Sequence, residues 1–245
     1  MASSAPELTS RILRHERLII AAGITLLVAL AWLFLLRGAG MTSSMPVMAA
    51  PPFSVVLLMW WVMMMAMMLP SAAPAMLLYA RVRETRNGDR GISQSWVFMT
   101  GYVLIWLLFS LLAACAQRLL AGPSMALDNK LTGAVLLTAA GLYQLSPLKS
   151  ACLNECRSPA QFISRHWRSG WQGAVRLGML HGAYCVGCCW VLMVLLFVGG
   201  VMNLLWIIAL ALIVAIEKLA PRGRLVGRAI GVALITWGVV AIAGS

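Results

Sequence analysis

Charge is what this chain has least of. Only 11% of its 245 residues are Asp, Glu, Lys or Arg, and acidic side chains number 7 against 19 basic ones. Soluble domains carry about 25% charged residues; a chain this poor in charge and 62% hydrophobic is no ordinary soluble globule but a polytopic membrane protein. The basic excess would suit nucleic acid in a soluble domain. Here the Lys and Arg residues fall in short stretches between apolar segments, the pattern that orients membrane proteins, so nucleic acid is excluded as a partner. No nucleotide-binding loop or soluble motor domain is present, so any transport is passive, ion-coupled or driven by a receiving chaperone. Internal repeats and low-complexity segments are absent as well.

Long apolar runs are abundant. They predict an all-α transmembrane helix bundle of about seven spans, 18–36, 53–79, 96–116, 131–145, 174–197, 201–216 and 225–243, behind a polar N-terminal segment, 1–17. The first run is longer than the core of a cleavable signal peptide and reads as a retained span. Pro70 and Pro74 each remove a backbone donor, which predicts a kink or break at the end of the second span. When the connectors alternate across the bilayer, 16 of the 19 basic residues collect on one side. The N-terminus and the 146–176 connector are therefore expected in the cytoplasm, in a multi-pass protein of the bacterial inner membrane.

Inside the fifth span stands His181 to Cys189, H-G-A-Y-C-V-G-C-C. A helical step of about 100° puts His181, Cys185 and Cys188 within an arc of roughly 60°, with Cys189 at its edge. Residues four apart are about 6 Å apart, so His181 with Cys185, and Cys185 with Cys189, are spaced to hold one soft ion. His181 to Cys188, about 10 Å, is too far for one ion. Two neighbouring positions, or a site completed from another helix, fit better. Ionisable groups inside a span mark function. In the connector before this span Cys152 and Cys156 are again four apart, spaced to share one ion; a disulfide competes, but cytoplasmic thiols stay reduced. Pro147 and the short fourth span leave room for these two thiols to approach the fifth helix. Cys115, alone near a helix end, reads as packing, and His166, in a basic interfacial stretch, as a surface anchor. Glu217 and Lys218 read as an acid and a base pairing with interfacial neighbours, or as a carboxylate that neutralises a cation.

Six methionines crowd the second span: Met59, Met63, Met64, Met65, Met67 and Met68. Met59, Met63 and Met67 form one helical stripe; Met64 and Met68 form another more than a quarter-turn away. Met41, Met45 and Met48 precede them in an outer loop. Thioethers are soft, neutral ligands suited to Cu(I), whereas Cys and His alone would also take zinc. Thioethers outside and thiols inside grade towards stronger binding of a soft cation.

W-W-V-M-M-M-A-M-M-L-P-S (Trp60 to Ser71), Y-Q-L-S-P-L-K-S-A-C-L-N-E-C-R-S-P (Tyr143 to Pro159), Y-C-V-G-C-C-W (Tyr184 to Trp190) and Glu217-Lys218 together resemble a bacterial family of predicted metal-binding integral membrane proteins, a domain of unknown function. The resemblance covers roughly residues 53 to 220. It implies a metal, with Cys152, Cys156, Cys185, Cys188 and Cys189 at the matching positions, but no settled reaction.

The sequence therefore predicts a membrane protein that binds a soft transition metal, Cu(I) ahead of zinc, for transport or delivery. His181, Cys185, Cys188 and Cys189 would form the intramembrane site, Met59, Met63 and Met67 the inlet, and Cys152 and Cys156 the cytoplasmic exchange point. A cytoplasmic metallochaperone or a membrane enzyme would be the partner. A membrane thiol-disulfide oxidoreductase using Cys185/Cys188 or Cys188/Cys189 is the alternative, although no thioredoxin-like pattern surrounds C-V-G-C. A third is a metal-insertion subunit of a larger membrane enzyme.

Overall fold

A computed structural model of the chain describes residues 4–38, 51–87, 92–120 and 130–243. Met41, Met45 and Met48 lie outside the described residues. The described residues form ten helices: α1 (Ser4–Leu36), α2 (Phe53–Asn87), α3 (Ile92–Leu120), α4 (Lys130–Leu145), α5 (Pro147–Arg157), α6 (Pro159–His166), α7 (Gly170–Val194), α8 (Leu196–Gly199), α9 (Leu204–Leu219) and α10 (Gly223–Ala243). No strand occurs among them.

Five stretches are long and apolar enough to cross a membrane: Leu18–Leu36, Phe53–Arg83, Gln94–Leu119, Gly170–Gly199 and Gly223–Ala243. The fourth expected span is α4, which bends by 61° into α5; the pair counts as a sixth if it is one broken span. The expected 201–216 span is the 16-residue α9, about 24 Å long, short of a hydrocarbon core of about 30 Å. It starts late because Gly200 takes φ 88° and Asn203 then caps the helix, its Oδ1 accepting from Trp206 N at 3.3 Å.

Of the kink or break expected at its prolines, α2 shows no break; it runs through Pro70 and Pro74 for 35 residues. Prolines are tolerated in such helices where neighbours pack closely; Ser71, between these two, donates through Oγ to Met68 O at 2.9 Å, and Tyr102 of α3 donates to the same carbonyl at 3.3 Å. Proline elsewhere starts helices. Ser146 caps α5, accepting from Lys149 N at 3.2 Å, with Pro147 in the first turn, and Pro159 opens α6 in the same position.

Glycine sets the two closest helix crossings. At Gly101 and Gly178 the backbones of α3 and α7 meet; a Cβ on Gly178 would press on Phe98 O and stand 3.1 Å from Tyr102 N. Gly141, Gly231 and Gly238 do the same for α4 and α10. The long helices α1, α2, α3 and α7 pack together, and the shorter α4 and α10 pair, with α9 beside α10 and α2; α5 lies on α7 between the two groups. Leu26, Leu30, Leu108, Leu112, Leu205, Leu212 and Val240 are exposed on the outside, as expected of a surface facing lipid. Because α9 is short, its last turn ends against the middle of α2, where Lys218 meets Met68.

Candidate metal centre

α7 turns its cysteines inward. Cys185, Cys188 and Cys189 are each 1% exposed, and the thiols of Cys188 and Cys189 donate to the carbonyl of Cys185 at 3.1 and 2.9 Å. These intrahelical bonds hold both sulfurs over the preceding turn. Three other helices bring side chains to them. From α5, Cys156 Sγ lies 4.0 Å from Cys188 Sγ. From α2, Met68 Sδ lies 3.8 Å from Cys189 Sγ. From α3, the Tyr102 hydroxyl lies 3.1 Å from Cys185 Sγ. The thiols of Cys156, Cys185, Cys188 and Cys189 are close enough to interact with one another.

A cation enters this cluster from α9. Lys218 Nζ donates to Cys185 Sγ at 2.9 Å and Ser71 Oγ at 3.3 Å, and lies 4.0 Å from Met68 Sδ. Its neighbour Glu217 points elsewhere, because adjacent helical positions diverge by about 100°. Glu217 pairs with Lys149 at 2.5 Å, and Gln144 bridges both, accepting from Lys149 and donating to Glu217. Glu217 is 1% and Lys218 7% exposed. Both are buried, and each finds a partner inside the protein, as expected of an acid and a base that pair with neighbours.

The remaining candidates sort by distance from the cluster. Cys152 lies against α7 at Gly187, where a Cβ would meet its sulfur at 2.8 Å. α5 thus brings both of its cysteines onto α7, through the bend at Pro147. His181 is buried one turn from Cys185, among the rings of Phe98, Tyr102 and Phe162 at 6.1, 5.8 and 5.3 Å, and its Nδ1 has no partner. Met59, Met63 and Met67 are buried in α2, but the methionine whose sulfur reaches a thiol is Met68, on the other stripe. Cys115 is exposed, alone on α3. His166 accompanies Phe162, its Nδ1 3.1 Å from the Phe162 carbonyl.

Sequence reasoning did not name Tyr102, and it named Ser71 and Lys218 only in motifs or as an interfacial base, without placing either at the cluster. A lysine ending an otherwise apolar helix, one residue from a glutamate that cannot share its neighbours, was the available signal for Lys218. Tyr102 gave none.

Among the described residues no three His, Cys, Asp or Glu side chains form a ready-made cage. The convergence is instead of sulfurs of two kinds, thiol and thioether, beside one ammonium. Soft sulfur donors suit soft metal ions and leave hard, oxygen-seeking ones without ligands.

The fold and this cluster are those of a helical membrane protein with a buried, sulfur-rich cluster. A family model described as PpoB2, copper chaperone, matches residues 57–241. The chain belongs to that family and is a copper-handling membrane protein. No curated protein and no solved structure matches it significantly.

Proposed function

We propose that the protein holds Cu(I) within the membrane and passes it to a second thiol pair for delivery. Cys185 and Cys189, four apart on α7, bind the ion with Met68 as third ligand; Cys188 and Cys156 form the exchange pair, and Cys152 and His181 flank it. Met59, Met63 and Met67 line the approach from the outer side. The observation that carries this reading is the meeting of sulfurs from α2, α5 and α7, 3.8 to 4.0 Å apart across helices, at one buried point. Thiolates and a thioether favour Cu(I) over zinc.

The same reading sets the chain in the bacterial inner membrane with seven crossings and a cytoplasmic N-terminus. What supports it is the basic side, which holds Arg157, Arg165, Arg168, Arg222, Arg224 and Arg228. The ion would then leave towards a cytoplasmic metallochaperone or a membrane enzyme. A cytoplasm-only reporter joined after residue 157 should be active and one joined after residue 243 silent; the reverse pattern sinks this topology.

The function is tested by metal content. The protein is purified in detergent under reducing, anaerobic conditions and loaded with Cu(I), beside a Cys185/Cys188/Cys189→Ser variant. Stoichiometric copper in the wild type, lost in the variant, is the expected result. Met68→Leu should keep copper yet surrender it to a weaker chelator. No copper in the loaded wild type sinks the reading. A thiol-disulfide role has one observation in its favour, the 4.0 Å approach of Cys156 to Cys188; it predicts instead a mixed disulfide trapped with a partner when either is changed to Ser.

A further inference from the structure

Lys218 is built into the cluster rather than stranded beside it. An ammonium has three donors, and the three neighbours around this one are Cys185 Sγ, Ser71 Oγ and Met68 Sδ, at 2.9, 3.3 and 4.0 Å. Among the described residues no carboxylate lies within ion-pair distance of it: Glu217, next in the chain, is taken by Lys149, and Glu155 by Arg165. The Lys149–Glu217 pair is neutral as a unit. A positive charge thus faces the sulfurs with no fixed negative charge to answer it.

Charge counting then separates metals that sulfur alone treats alike. Two thiolates and a thioether around a monovalent ion leave one net negative charge, which the Lys218 ammonium cancels. Around a divalent ion the same ligands are already neutral, and Lys218 leaves one net positive charge. In a dry, low-dielectric interior an uncancelled charge is strongly unfavourable. We propose that Lys218 is the specificity-determining residue of the site, a fixed counter-charge that selects monovalent soft ions over divalent ones. This rests on the copper site proposed above.

The test separates charge from softness. Detergent-purified wild type and the neutral variants Lys218→Leu and Lys218→Gln are titrated with Cu(I) and Ag(I), and with Zn(II) and Cd(II), each against a competing chelator. Because the readout is a ratio within one preparation, partial loss of folded protein cancels. The ratio of monovalent to divalent affinity should fall by about tenfold or more in both neutral variants, with Ag(I) following Cu(I) and Cd(II) following Zn(II). Lys218→Arg should hold the ratio near wild type. A ratio unchanged in the neutral variants overturns the charge role and leaves the copper site standing. If wild type binds none of the four ions, the copper site itself falls, and the charge role falls with it.

Discussion

Replacing Lys149 by Met should destabilise the protein by about 3–5 kcal/mol, the effect of removing one partner from a buried ion pair. Lys149 and Glu217 are almost wholly buried and meet at 2.5 Å, with Gln144 closing the ring. Without the lysine, the buried Glu217 carboxylate keeps Gln144 and loses its opposite charge. The double variant K149M/E217Q removes both charges and should recover most of the loss, since replacing a whole buried pair with neutral groups is often nearly neutral. The check is the midpoint of SDS- or urea-induced unfolding in mixed micelles. Equal losses in single and double variants would mean that lost packing and hydrogen bonds around Lys149, not an unpaired charge, cause the loss. The effect extends to the metal centre, because Glu217 fixes the last turn of α9 and Lys218 is its neighbour.

Gly178→Val should cost about 1–3 kcal/mol, as overpacking does, and should also weaken copper retention. The new side chain would meet backbone atoms of α3, the Phe98 carbonyl and the Tyr102 amide, and backbone cannot swing aside as a side chain can. α3 would have to retreat, and the Tyr102 hydroxyl, 3.1 Å from Cys185 Sγ, would retreat with it. Gly133→Ala is the matched control: its Cβ would meet Val198 at 3.7 Å, an ordinary contact, so stability and copper retention should stay near wild type. If G133A lost as much as G178V, the loss could not be traced to the α3–α7 crossing.

The helices were legible because lipid demands them. A run of apolar residues long enough to span has one structural answer, so the expected spans all found a helix. What composition could not convey was length at the ends. α9 loses its first residues to Gly200 and Asn203, and the long connector from Pro147, whose Cys152/Cys156 spacing was readable, is two helices started by prolines. The intrahelical part of the metal centre, Cys185 to Cys189, was likewise readable from a four-residue period. Its completion was not, because contacts between helices depend on rotation about their axes. The methionine stripes illustrate this: period 3.6 separates Met59, Met63 and Met67 from Met64 and Met68, but only packing against α7 decides that Met68 faces the thiols. Lys218 eluded the same reasoning, since a basic residue near a helix end ordinarily points to water.

The meeting of Lys218 with Met68 carries a consequence for how far an ion must travel unaided. Met68 stands halfway along α2, yet Lys218 belongs to the final turn of α9. The same point is mid-bilayer by one ruler and the end of a helix by the other. On the side where α9 stops, the chain continues through Pro221 into Arg222 and Arg224, and Arg157 donates to the carbonyls of Glu217, Ala220 and Pro221, so polar structure begins where hydrocarbon would otherwise continue. On the copper path proposed above, the ion would then meet polar structure on one side of Met68, leaving the methionine-lined half of α2 as the stretch it crosses among apolar neighbours.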